Sequence, residues 1–248
     1  MEKIYIKLAD RVIEISANYP ETKFFFRDYI IEGIPDNTDM NITVTNEDIT
    51  NEREKAGVAG LIKASDRYLE TLVIHRKISE ELPRYQTIMF HGSAIALDGE
   101  VYLFTAPSGT GKSTHARLWR ECFGDRTFMV NDDKPFLRLC EDGTVMVYGS
   151  PWNGKHRLGT NTARPLKAVC ILSQAKENRI RPVSAKDGFQ TLYTQTYRPM
   201  SSGDAMKQTL NVISGVLNCP LWHLECDISK DAVRTSYEAM SGKVMEDD

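Results

Sequence analysis

The feature that most constrains this chain is the run Ala106-Pro107-Ser108-Gly109-Thr110-Gly111-Lys112-Ser113-Thr114. It sits between EVYLFTA, which reads as a strand, and STHARLWRECF, which reads as an amphipathic helix. A strand, a glycine turn and a helix start in that order are the context of a phosphate-binding loop, usually G-x-x-x-x-G-K-[ST]. Ala106 stands where that pattern has its first glycine. The chemistry explains the composition. Phosphate oxygens must come close to backbone amides, so bare glycines suit positions 109 and 111. The helix start points its positive end at the anion. Lys112 adds a full charge, and the Ser113 hydroxyl suits Mg²⁺. Ser108, Gly109, Thr110, Gly111, Lys112, Ser113 and Thr114 are therefore the candidate residues for ATP, with Ser113 also on the metal.

A second group follows one helix and one strand later. FMV ends in Asn131-Asp132-Asp133. In phosphate-loop proteins a strand near the loop delivers a carboxylate to Mg²⁺. Two adjacent carboxylates exceed the need of one metal contact. At a strand's end the backbone can turn so that both face the phosphates, one on the metal and one taking a proton from an attacking hydroxyl. On its own the pair also fits a polar turn after a buried strand.

Composition narrows the partners. With 248 residues, 41% hydrophobic and 26% charged, the chain has the balance of a globular protein, which argues against a wholly disordered chain. A net charge of −3 gives no broad basic face, so nucleic acid is not an expected partner. No apolar run approaches the roughly 20 residues of a membrane helix, and the first residues carry no signal-peptide core. The expectation is a cytoplasmic protein with no membrane partner. Five cysteines with no Cys-x-x-Cys pair argue against disulfides or a zinc knuckle and for buried free thiols.

The expected organisation is an N-terminal extension of strands plus a helix over 1–82 and a core over 83–248. KIYIKL and RVIEISA alternate as strands, and NITVTN reads as a third. Residues 65–82 carry a helical apolar face at Tyr68, Leu69, Leu72, Val73, Ile78 and Leu82, stopped by Pro83. In the core, TIMFHGSAIAL and EVYLFTA read as two strands turning at Asp98-Gly99, and PFLRLC and TVMVYG as a second hairpin at Asp142-Gly143. LKAVCIL and LWHLEC read as strands. Residues 184–195 and 202–217 read as helices, the second with Met206, Leu210, Ile213 and Leu217 on one face. Ser229 caps a last helix. The mixture predicts an α/β fold with a mixed β-sheet.

His91-Gly92-Ser93, a strand hairpin, SGTGKST and then NDD, in that order, resemble the catalytic core of HPr kinase/phosphorylase. They are similar also to ATP-dependent phosphoenolpyruvate carboxykinase, which shares that P-loop core. The match covers roughly 87–140 and does not reach 1–80. It extends to shorter HPr-kinase-like proteins of bacterial peptide-modification clusters. The resemblance implies a phosphotransferase using ATP and Mg²⁺, with a serine on a protein or peptide as acceptor. It places His91 at the metal, Asp132 as base and Asp133 as metal contact, with the reverse order of the two aspartates open. It leaves open a small-molecule kinase or carboxykinase-like enzyme, a nucleotide-binding regulator without catalysis, and a homo-oligomer. Without the resemblance, His91 reads as a core histidine.

PWNGKHR forms a further tight loop with cations in a row. Lys155 and Arg157 suit the charge that develops on a phosphoryl group in transfer. Trp152 suits a wall against water, a stack on a ligand ring, or a core plug. Lys134 suits an ion pair with the carboxylates. Tyr197-Arg198-Pro199 suits a helix cap, and Met200 and Met206 suit packing.

Overall fold

The computed structural model describes residues 2–58, 63–154 and 156–246. The chain divides into two compact units, Met1–Leu82 and Pro83–Asp248.

In the first unit β1 (Glu2–Leu8) and β2 (Arg11–Ala17) form an antiparallel hairpin in which Leu8 faces Arg11. Ala9 and Asp10, both at positive φ, make its two-residue turn. Alternate residues Ile4, Ile6 and Leu8, and opposite them Ile13, Ile15 and Ala17, are buried. After α1 (Glu21–Phe25), β3 (Met40–Thr43) joins β2 in parallel. The expected strand over 41–46 stops early because Thr45 and Asp48 cap α2 (Asn46–Val58). Thr45 N–H donates to Asp48 Oδ2 at 2.8 Å, and Asp48 N–H donates to Thr45 Oγ1 at 3.1 Å. α3 (Asp66–Glu81) buries Leu69, Val73, Ile74 and Ile78, while Tyr68 is exposed. Its fully buried Glu70 accepts from the backbone N–H groups of Asn18 and Tyr19 and from the Thr22 hydroxyl. That carboxylate pins the β2–α1 connection.

In the second unit TIMFHGSAIAL is two strands, β4 (Thr87–Met89) and β5 (Ser93–Leu97). The break falls at Phe90–Gly92. A Cβ on Gly92 would lie 2.9 Å from the Phe104 carbonyl oxygen, so only glycine allows this approach. β5 and β6 (Glu100–Thr105) form the expected hairpin through Asp98-Gly99. α4 (Lys112–Phe123) leads to β7 (Thr127–Asn131), which pairs with β5. β8 (Phe136–Leu139) and β9 (Val145–Tyr148) form the second hairpin. β10 (Ala163–Gln174) runs parallel to β6. Then come β11 (Arg179–Pro182), α5 (Ala185–Gln195), α6 (Gly203–Leu217), β12 (Leu221–Cys226) and α7 (Lys230–Ser241). The sheet order is β4-β8-β9-β10-β6-β5-β7. The first part of β10 pairs with β9 and its last part with β12, so this one strand joins the antiparallel and parallel parts. The fold is mixed α/β, as expected.

Side chains alternate across the sheet. Ala94, Ala96 and Leu103 pack with Leu192 of α5 and with Val212, Ile213 and Val216 of α6. Ile95, Leu97 and Phe104 pack with Trp119 of α4 and with Val233 and Tyr237 of α7. The inner face of α6 is Thr209, Val212, Ile213 and Val216, with Leu210 exposed, so the expected face is rotated. Met200 is 93% exposed and packs no core. The five cysteines are free, and Cys170 alone is fully buried. The others are half-buried, and Cys122, Cys219 and Cys226 lie at the rims of the clusters. Trp119 Nε1–H reaches Ser236 Oγ at 3.0 Å, which ties α4 to α7, and His115 Nε2 lies 3.0 Å from the same oxygen. Burial pushes the His115 pKa down to about 4.

Candidate active site

The turn from Ala106 to Gly111 is left-handed at Gly109 (φ 81°) and Gly111 (φ 113°). A Cβ at either position would meet nothing within 4 Å. Backbone conformation, not crowding, demands glycine there. Ala106 needs no such freedom and is buried among the α4 contacts, which explains how alanine replaces the usual glycine. Gly111 is the N-cap of α4, with no side-chain cap and no acidic residue in the first turn. The first amides of the helix are thus left to an anion. Lys112 is buried, and its ammonium donates to the carbonyls of Ala106 at 3.0 Å and Pro107 at 3.3 Å. Burial lowers its pKa, against the pull of the nearby Asp133 and Asp132 carboxylates. Ser113 is exposed.

The aspartate pair is held from two sides. Asn131, fully buried at the end of β7, accepts the N–H of Asp133 at 2.8 Å and of Lys134 at 2.6 Å on Oδ1. Its Nδ2 donates to Ser150 O at 3.1 Å and to Ser150 Oγ at 3.0 Å. This Asx turn swings the chain out of the strand directly at the carboxylates. From the other side come three consecutive residues. Ser93 Oγ donates to Asp132 Oδ1 at 2.8 Å, Gly92 N–H donates to Asp133 O at 3.1 Å, and His91 Nε2 stands 3.6 Å from Asp133 Oδ1. Lys134 Nζ pairs with Asp133 at 2.6 Å, as expected. His91 Nδ1 lies 2.6 Å from Gln195 Oε1. Burial first, then the charge of Lys112, lowers the His91 pKa, against the Gln195 hydrogen bond and the Asp133 carboxylate, which raise it.

Two cavities flank Thr114. One, of about 440 Å³, is lined by the glycine turn and by Leu118, Leu172, Gln174, Cys226 and Ile228. The other, of about 370 Å³, brings Ser113 together with Asp132, Arg117, Arg120 and His156. In the 149–160 loop, Trp152 is buried with its ring 6.3 Å from Phe136, which makes it a core plug. Gly154 lies against Asp132, since a Cβ there would be 3.0 Å from Oδ2. Lys155 lies outside the described residues. Arg157 is exposed at φ 48°, and its neighbours His156 and Leu158, not Arg157, line the cavity. Arg198 donates to the carbonyls of Tyr193, Thr194 and Thr196 and closes the end of α5. Asn131, Gln195 and Arg120 carry no role in the sequence reading. The Asx position of Asn131, directly before two aspartates, is the one local signal among them.

Among the described residues no three His, Cys, Asp or Glu side chains form a ready metal centre. Mg²⁺ bound chiefly through substrate phosphates needs only one or two protein ligands. The exposed Ser113 hydroxyl and the Asp132 carboxylate line one cavity and fit that requirement, while Asp133 is not part of that lining. Among the described residues no helix is long and apolar enough to cross a membrane.

No protein-family model matches the chain, and no curated protein matches it in sequence. Among solved structures it is similar to the Hpr(Ser) kinase/phosphatase from Coxiella burnetii, with a TM-score of 0.37 and 11% identity. The match covers 62% of this chain and 93% of that one. The likeness is remote, and the function is read from the site.

Proposed function

We propose that the chain is an ATP- and Mg²⁺-dependent phosphotransferase of the cytoplasm, built on a P-loop core and acting on a serine hydroxyl of a protein or peptide. One observation carries the reading. The uncapped start of α4 and the buried carboxylate of Asp132 open onto one cavity through Ser113. The amides from Gly109 to Thr114 and the Lys112 ammonium bind the triphosphate, and the apolar cavity beside the glycine turn takes the base. Ser113 and Asp133 would hold Mg²⁺, with His91 Nε2 3.6 Å from Asp133 Oδ1. The metal supplies charge neutralisation on the phosphates. Asp132, its Oδ1 fixed by Ser93, accepts the acceptor's hydroxyl proton on Oδ2. The new O–P bond forms as the bond from the γ-phosphorus to the bridging oxygen of ADP breaks. Lys112 stabilises the departing charge.

A second reading is a small hydroxyl-bearing molecule as acceptor. The volume of about 370 Å³ favours it, being the size of a small-molecule pocket.

The test pairs calorimetric titration of Mg–ATP with transfer of labelled γ-phosphate to candidate acceptors. Asp132→Asn keeps nucleotide affinity and loses transfer by about 10²–10⁴-fold. Lys112→Ala loses affinity. Equal transfer by Asp132→Asn and wild type removes the base assignment. Failure of Mg–ATP to bind removes the enzyme.

A further inference from the structure

The cavity that holds Asp132 is also lined by Arg117 and Arg120. Ser113, Arg117 and Arg120 are spaced four and three residues apart, so they share one face of α4. Arg120 lies about 10 Å along the axis from Ser113. Its side chain leans back toward the helix start, over the cavity. Arg117 is engaged at the surface by Glu121 at 2.5 Å. Arg120 is half-buried, and its Nε is fully buried with no hydrogen-bond partner. Among the described residues that line this cavity, Asp132 is the one carboxylate, and it is already held by Ser93. Arg117 already has Glu121 as its partner, which leaves Arg120 as the cation of the lining beside Asp132.

We propose that this cavity is the acceptor site and that it selects a hydroxyl carrying a carboxylate close by. The proposal rests on the phosphotransferase reading and deepens it. The hydroxyl meets Asp132, and the carboxylate meets Arg120, with Arg117 at the mouth. Two sources offer this chemistry. One is a serine beside an acidic residue in a peptide, and the other is a free hydroxy acid. Met129 and Leu158 supply the apolar wall that a short carbon chain would follow. Arginine fits the task better than lysine because its planar fork pairs with both carboxylate oxygens.

The experiment measures equilibrium binding first, in the presence of a non-hydrolysable ATP analogue and Mg²⁺, and transfer second. The probes are three pentapeptides identical except for the residue after serine (glutamate, glutamine or lysine), together with free L-serine and glycerate. Wild type binds the glutamate peptide or a hydroxy acid at least tenfold tighter than the glutamine and lysine peptides. Binding by the peptide alone, or by the small acids alone, names the source. Arg120→Gln removes the preference, raises the acceptor KM about tenfold, and leaves affinity for the nucleotide unchanged. Arg120→Glu turns the preference toward the lysine peptide. No preference for the acid in wild type overturns the proposal. So does an Arg120→Gln variant whose kcat falls equally with every acceptor, since that outcome assigns the arginine to the transferred phosphoryl group. Nucleotide affinity is read separately in each protein, so loss of the phosphotransferase reading itself shows as absent Mg–ATP binding.

Discussion

Ser93 Oγ donates to Asp132 Oδ1 at 2.8 Å, and both side chains are buried. The bond fixes one oxygen of the carboxylate and leaves the other for chemistry. Ser93→Ala frees the rotamer of Asp132 without removing its charge. We expect transfer to slow about tenfold and stability to fall by about 1 kcal/mol. Mg–ATP affinity stays as in wild type. Steady-state kinetics beside urea denaturation checks this, and unaltered turnover refutes a positioning role for Ser93.

Asn131 has the opposite profile. It touches no ligand in the proposed reaction, but four of its hydrogen bonds shape the turn that carries both aspartates. Asn131→Ala strands two amides and leaves the Ser150 carbonyl with Asn153 Nδ2 as its remaining donor. The cost is about 3 kcal/mol, which lowers the melting temperature by roughly 5–10 °C. Asn131→Asp keeps the acceptor but sets a charge against the Ser150 and Trp152 carbonyls, so it does not rescue. Calorimetric melting of the two variants tests this.

Gly111 and Gly99 are a matched pair for separating backbone strain from function. Both lie at positive φ, 113° and 88°, with open space where a Cβ would be. Alanine at either costs about 1–2 kcal/mol of stability. Only Gly111→Ala also loses Mg–ATP affinity, by tenfold or more. Similar affinities in the two variants contradict the phosphate-loop assignment.

His115 makes stability depend on pH in a definite direction. Its pKa is pushed by burial from 6.5 to about 4. The unfolded chain takes up a proton below about pH 6.5, and the folded chain does not until about pH 4. The contribution is therefore complete above pH 6.5 and is lost as the pH falls toward 4, by roughly 3 kcal/mol in total. His115→Gln lacks this slope. The stability gap between wild type and variant narrows as pH falls from 7 to 4.5 in urea titrations. A constant gap refutes the assignment.

The glycine turn was legible because everything that defines it is local: a strand, two residues at positive φ, a lysine and a helix start. The aspartate pair was legible for the same reason. Its supports were not, because Ser93, Asn131 and Gln195 come from β5, β7 and α5 and meet only in three dimensions. The break between β4 and β5 was hidden because Phe90 continues the apolar run, and only the close approach of Gly92 to the Phe104 carbonyl reveals it. α2 escaped periodicity because ion pairs to α3, Glu52 with Arg76 and Asp48 with Lys77, hold it in place of an apolar stripe. Its Thr45-to-Asp48 cap was the readable signal. β11 is short, largely exposed and polar, so no alternation marks it.

The ammonium of Lys112 rests on the carbonyls of its own turn. Whatever enters must draw that cation away from two oxygens it already owns. By Coulomb's law, a group with several negative charges competes better for that ammonium than one with a single charge.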